Sequence, residues 1–181
     1  DYRSSRGLGD VYKRQGFACI AAAARLSATL PVAVIPATIS NNVPGTDHSV
    51  GADTACNVIC EAVDRLKQSA VGSRDRVFVV EVMGRRCGYL ARSAGIGSGA
   101  EAVYTHEQGI FLSDLQADIA GLQAAFGRGK SVGIVLVADG ASQAYDTHTL
   151  ARIYAEESGS RFDTRVCVLC LLYTSPSPRD D

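Results

Sequence analysis

Arg76-Val77-Phe78-Val79-Val80-Glu81-Val82-Met83-Gly84-Arg85-Arg86-Cys87-Gly88-Tyr89-Leu90-Ala91 is the stretch whose reading decides the fold. Val77 to Val82 reads as a buried strand of a parallel sheet, because strands covered on both faces are near-continuous apolar runs rather than alternating ones. The polar, glycine-containing loop after it lies at a strand's carboxyl end, where open α/β sheets bind ligands. The arrangement occurs once more upstream. There Val32 to Ile35 reads as a buried parallel strand and Thr38-Ile39-Ser40-Asn41-Asn42-Val43-Pro44-Gly45-Thr46-Asp47 as its loop. The two loops are expected to face one ligand.

Outward from these strands the pattern alternates helix and strand. An Ala-rich helix is expected from about Gly16 to Thr29, and a second over Ala52 to Ser69, where Ala55, Ile59, Val63 and Leu66 form one apolar stripe. Asp47 is a candidate cap for that second helix. A small-residue helix from about Cys87 to Gly97 precedes a short strand, Ala102 to Tyr104. Leu115, Ile119, Leu122 and Phe126 mark another amphipathic helix, with Ser113 placed as its N-cap. Strand Val132 to Val137 ends at Ala138-Asp139-Gly140, a third polar strand end. A helix over Thr147 to Glu157 and a strand near Arg165 to Leu169 complete the series. Strand, helix, strand repeated in this way implies right-handed crossovers and a parallel sheet. Gly95-Ile96-Gly97-Ser98-Gly99-Ala100 fits the spacing of a dinucleotide fingerprint. It closes a helix instead of opening one after a strand, so it reads as a helix C-terminal glycine cluster.

Composition sets the class. With 181 residues, 46% hydrophobic and 20% charged, the chain supports one globular core. A net charge of −1 argues against nucleic acid and anionic membrane surfaces as partners. No apolar run approaches the roughly 20 residues that span a bilayer, and no charged-then-apolar leader opens the chain; a cytoplasmic location is the expectation. The cysteines Cys19, Cys56, Cys60, Cys87, Cys167 and Cys170 read as buried, reduced structural thiols, with no metal site among them.

Residues 1–15 and 170–181 differ from the middle. The first is polar and irregular, and the last closes on Ser-Pro-Ser-Pro, which builds neither helix nor central strand. Both read as unstructured tails and resemble translated sequencing-adaptor sequence, which leaves residues 16–169 as the domain.

Thr-Ile-Ser-Asn-Asn-Val-Pro-Gly-Thr-Asp at 38–47, followed by Arg-Val-Phe-Val-Val-Glu-Val-Met-Gly-Arg-Arg-Cys-Gly-Tyr-Leu-Ala at 76–91, resembles the 6-phosphofructokinase family. The likeness is to the carboxyl-terminal half of the duplicated eukaryotic enzyme. It runs from about Gly16 to Leu169 and implies an α/β, parallel-sheet, Rossmann-like three-layer domain, here incomplete. The sugar-phosphate side is present and the ATP-binding glycine-rich side is not. The resemblance implies transfer of the ATP γ-phosphate to fructose 6-phosphate by the parent enzyme, with ATP and Mg2+ as cofactors of that parent but not of this fragment, and a homo-oligomeric parent. Thr38, Ile39, Ser40, Asn41, Asn42, Arg76, Met83, Gly84, Arg85, Asp139 and Arg165 are the positions expected to bind the sugar phosphate. Arg76 and Arg165 need not serve their own chain's pocket, because some arginines of this family cross a subunit interface.

Catalytic halves of the family carry Thr-Ile-Asp-Asn-Asp, whose first Asp is the base for the sugar hydroxyl. Ser40 stands there, and Asn42 replaces the second carboxylate. A serine hydroxyl without a partner base cannot accept that proton. The pocket therefore carries two fewer negative charges, which suits a ligand with two phosphates and removes turnover. This Ser/Asn version resembles the half that binds fructose 2,6-bisphosphate as an activator. Two rival readings are a free-standing sugar-phosphate sensor and a directly catalytic half, the second because Met83-Gly84-Arg85 keeps the form typical of catalytic halves.

Overall fold

A computed structural model describes residues 17–70, 72, 75–84 and 86–169. The expected tails and Arg85 lie outside the described residues. The element order is α1 (Phe17–Leu26), α2 (Ala52–Ser69), β1 (Arg76–Val82), α3 (Tyr89–Ser98), β2 (Ala102–Tyr104), α4 (Leu112–Gly127), β3 (Val132–Ala138), α5 (Thr147–Glu157) and β4 (Asp163–Leu169).

The four strands form one parallel sheet in the order β2-β3-β1-β4. The apolar runs occupy its centre. Val77, Val79, Val80 and Val82 of β1 and Ile134 to Val137 of β3 are buried, and each such side chain contributes about 1.5–3 kcal/mol relative to leaving it exposed. Helices cover both faces. On one, α3 lies so close that a Cβ at Gly95 would meet Val103 Cγ2 at 2.5 Å, and Leu136 is also adjacent. α2 packs on α3, with Lys67 Nζ donating to the Ser98 carbonyl at 2.5 Å. On the other face, Leu122 and Phe126 of α4 press against Gly133 of β3, and the Thr147 hydroxyl of α5 donates to the Glu81 carboxylate of β1.

The stripe read in the sequence is the one α2 buries: Ala52, Ala55, Ile59 and Val63. The 95–100 cluster ends α3 as expected. Gly99 adopts a left-handed backbone, and the Ala100 N–H donates to the Gly95 carbonyl at 2.9 Å, which closes the helix with a Schellman turn.

Several expectations are corrected. Val32 to Ile35 is not a buried strand: Val32, Val34 and Ile35 are 39%, 45% and 77% exposed, and the ladder there is a single parallel bridge, Ala37 to Val50. A β-branched run becomes a strand only where another strand supplies hydrogen-bond partners, and among the described residues none lies beside this one. Ser113 is inside α4 rather than capping it; Phe111 is the N-cap residue, and the Ser113 hydroxyl donates to the Asp114 carboxylate. Asp47 does not cap α2, whose N-cap is Gly51, and its carbonyl instead accepts from Asn41 Nδ2 at 3.0 Å. Cys56, Cys60, Cys87 and Cys167 are half-buried rather than buried, because they flank the core at helix edges, a loop and the β4 edge. Cys167 and Cys170 also stand at C-x-x-C spacing; Cys170 lies outside the described residues.

Candidate functional site

The carboxyl end of the sheet gathers three polar segments. The first is held in shape by Asn41, which takes a left-handed backbone (φ 48°), a conformation asparagine tolerates better than most residues. Its side-chain oxygen accepts from the Ser49 N–H at 2.7 Å, and its Nδ2 donates to the Asp47 carbonyl. Thr38 Oγ1 accepts from the Ser40 N–H at 3.3 Å, a local side-chain turn. Asn42 is exposed.

The second segment begins at Met83. The Cys87 N–H donates to the Gly84 carbonyl at 3.0 Å, closing a tight turn. A Cβ at Gly84 would lie 2.4 Å from the Cys87 carbonyl oxygen, so no larger residue allows this turn. The loops meet through Cys87, whose thiol donates to the Ser40 carbonyl at 3.1 Å. The two loops are thus in direct contact.

The third segment follows β3. Register pairs Val82 with Ala138, and the Asp139 N–H donates to the Val82 carbonyl at 2.8 Å, which sets Asp139 beside Met83. Gly140 has φ 75°, and the Ala141 N–H donates to the Ala138 carbonyl. This is a turn whose third position requires a left-handed residue. Asp139 is exposed.

Arg76 and Arg165 are elsewhere. Arg76 opens β1, six residues before Val82, and a strand rises about 3.3 Å per residue, which puts it about 20 Å from the loops. Arg165 pairs in register with Phe78, about 13 Å short of the same end. The two share a partner instead, with Arg76 Nε 3.6 Å and Arg165 Nε 2.9 Å from the same Asp163 oxygen. Thr38, Ile39, Ser40, Asn41, Asn42, Met83, Gly84 and Asp139 therefore lie at one end of the sheet, and the two arginines lie apart from them.

A fourth strand end, not singled out in the sequence, closes the group. After β2, Thr105 is fully buried, His106 Nδ1 lies 3.2 Å from the Gly140 carbonyl, and Glu107 Oε1 accepts from the Gly88 N–H at 2.8 Å. Partial burial opposes ionisation of Glu107, but the Gly88 N–H and a further backbone N–H outweigh it and hold the carboxyl below its usual range. The available signal was that Thr-His-Glu follows a short apolar run, as the other three polar segments do. Burial raises the thiol pKa of Cys56, Cys60 and Cys167, which makes these poor nucleophiles.

A separate cleft of about 360 Å³, lined by Lys67, Glu101, Lys130 and Ser131 among others, sits at the amino end of β3. It is far from the loops and is not the site they form. No cluster of three His, Cys, Asp or Glu side chains able to hold a metal occurs among the described residues.

Comparison with known proteins follows this geometry. The family description "Phosphofructokinase" matches residues 13–180. The chain is 46% identical over 149 residues to the muscle-type ATP-dependent 6-phosphofructokinases of Oryctolagus cuniculus and Homo sapiens, covering 82% of this chain and 19% of each relative. It therefore spans about a fifth of the length of the curated relatives it matches. Among solved structures, Pichia pastoris phosphofructokinase in the T-state aligns with a TM-score of 0.73 at 41% identity, covering 81% of this chain and 17% of that one. Saccharomyces cerevisiae phosphofructokinase aligns with a TM-score of 0.76 at 39% identity, covering 83% and 21%. Residue matches along most of its length, on a parallel sheet with its polar loops at one end, establish that the chain belongs to the phosphofructokinase family.

Proposed function

We propose that this chain is the sugar-phosphate side of a 6-phosphofructokinase that transfers the ATP γ-phosphate to fructose 6-phosphate, and that its own pocket binds a fructose bisphosphate effector without turning it over. The observation that carries the reading is the neutral Ser40/Asn42 pair on a loop joined to the Met83–Cys87 turn through Cys87 and the Ser40 carbonyl. Phosphoryl transfer depends on a base or orienting group at the nucleophile and on charge neutralisation at the donor. This end of the sheet presents a serine and an asparagine where a base and a second carboxylate would be needed. With both carboxylates gone, a ligand bearing two phosphates meets less repulsion.

In this reading Thr38, Ile39, Ser40 and Asn42 form one wall and Met83 and Gly84 a second, Arg85 binds the sugar phosphate, and Asp139 takes sugar hydroxyls. Asn41 mainly shapes the first wall. Arg76 and Arg165, too distant to serve their own chain's loops, complete the pocket of a second subunit in a homo-oligomer, where their guanidiniums suit phosphate. ATP and Mg2+ belong to parts of the parent outside these residues. A cytoplasmic enzyme is the matching location; among the described residues no helix is long and apolar enough to cross a membrane.

The test replaces Ser40 and Asn42 with Asp, singly and together, in the full-length protein that carries this segment. Affinity for fructose 2,6-bisphosphate is expected to fall with each added carboxylate. Unchanged affinity would sink the charge argument. The Met83-Gly84-Arg85 form favours the rival reading of a catalytic half, which would be supported by turnover with every other sugar site disabled.

A further inference from the structure

We propose that Glu107 is a positioning residue of the sugar-phosphate site, its carboxylate holding Gly88 and, through it, Cys87 where that residue joins the two ligand-facing loops. This rests on the reading of that site given above. Three observations carry it. Glu107 Oε1 accepts from the Gly88 N–H at 2.8 Å, across 19 residues of sequence. The neighbouring His106 reaches the Gly140 carbonyl at 3.2 Å, so the loop after β2 touches both the β1 and the β3 strand ends. Gly88 is the N-cap residue of α3 and has no side chain with which to cap it. The Glu107 carboxylate takes the N–H of that N-cap residue, the bond a capping-box carboxylate makes from within a helix, and does so from another element, at the helix end where negative charge is favourable.

The hold passes directly to the ligand walls. Cys87, adjacent to Gly88, donates its N–H to Gly84 and its thiol to Ser40, so Gly88 anchors a residue that touches both loops. The fit at Gly88 admits nothing larger than hydrogen: a Cβ there would lie 2.4 Å from Thr105 Cβ and 2.6 Å from Glu107 Oε2. Without the brace the loop samples other shapes, and apparent affinity falls by the fraction of molecules still in the binding shape.

The experiment measures fructose 2,6-bisphosphate binding to the full-length protein carrying this segment, with hydrogen exchange at the Gly88 amide as a second readout. Glu107→Ala is expected to weaken binding roughly tenfold, by loss of the competent population, and to speed exchange at Gly88. Glu107→Gln keeps an oxygen acceptor and is expected to stay within about threefold of the parent. Asp139→Ala, a change in a direct ligand contact, separates the two levels of the reading. If Asp139→Ala weakens binding and Glu107→Ala leaves it unchanged, the brace is refuted and the site stands. If neither changes it, the site reading fails and takes the brace with it. Equal losses in Glu107→Ala and Glu107→Gln would also overturn the proposal, since the accepting oxygen would not matter. Should Glu107→Ala fail to fold, Glu107→Met removes the accepting oxygens while keeping the length of the side chain; weaker binding is expected, and unchanged binding refutes the brace.

Discussion

Replacing Gly88 with Ala tests the packing that holds the second loop against β2. The backbone at Gly88 (φ −83°, ψ 5°) is open to alanine, so any cost comes from contact rather than from dihedral strain. The new methyl would sit 2.4 Å from Thr105 Cβ and 2.5 Å from Thr105 Cγ2, whereas carbons rest about 3.5–4.0 Å apart. Thr105 is fully buried and β-branched, with little freedom at χ1. Gly88 must therefore move by about 1 Å, which lengthens its 2.8 Å bond to Glu107 beyond hydrogen-bonding range. Overpacking of this kind costs about 1–3 kcal/mol, and a lost bond to an exposed carboxylate, partly replaced by water, adds about 1 kcal/mol. A destabilisation of about 2–4 kcal/mol follows, read by urea unfolding of the chain followed by circular dichroism. A change under about 0.5 kcal/mol, the size of an ordinary surface substitution, would refute the packing described for Gly88.

Gly121→Ala is the opposite case: it lies exposed in α4 with open space where the methyl would go, and unfolding should show a gain of about 0.5–1 kcal/mol. Tyr154→Phe removes one hydroxyl from a buried chain in which Tyr104 donates to Asp118 at 2.6 Å and meets Tyr154 at 2.7 Å. It should cost about 1 kcal/mol, and Tyr104→Phe, which strands both neighbours, should cost more. Burial chiefly, with the adjoining phenol and carboxylate, keeps the Tyr104 hydroxyl protonated far above its usual range, and burial raises Tyr154 as well, so neither tyrosine is expected to titrate below about pH 10. Asp146 caps α5, and hydrogen bonds from the Thr149 hydroxyl and backbone N–H hold its carboxyl below the usual value. A lowered folded-state pKa means that its stabilisation is full above about pH 4 and is lost as pH falls through the folded value. Asp146→Asn should flatten the acid limb of a stability-against-pH curve.

Much of the sheet was legible because its signals are local. The apolar runs of β1 and β3 and the stripe of α2 name their own elements. The carboxyl-end position of Met83 and Asp139 followed from strand direction alone, whereas Ser40 was expected there from a strand, Val32 to Ile35, that does not form. Val32 to Ile35 has the same composition as a real strand, but pairing is a long-range property that composition does not carry. Ser113 was expected at a cap because serine caps helices well. The helix starts two residues earlier than that cap would set, at Leu112 with Phe111 as its N-cap, since nothing local forbids the extra helical residues. The separation of Arg76 from the loops was present in the sequence: a residue that opens a seven-residue strand is a strand's length from the loop that follows it. The strand end at Thr105-His106-Glu107 carried a local signal, but the bond from Gly88 to Glu107 was not legible, because it depends on an N–H in a different loop.

The central claim is that this pocket binds a fructose bisphosphate and performs no transfer. Its most direct test uses the full-length protein with every other sugar site disabled, measuring fructose 2,6-bisphosphate binding and ATP-dependent phosphorylation of fructose 6-phosphate on the same sample. Retained binding with no turnover is the predicted result. Turnover at this site, or loss of bisphosphate binding while the protein stays folded, would contradict it.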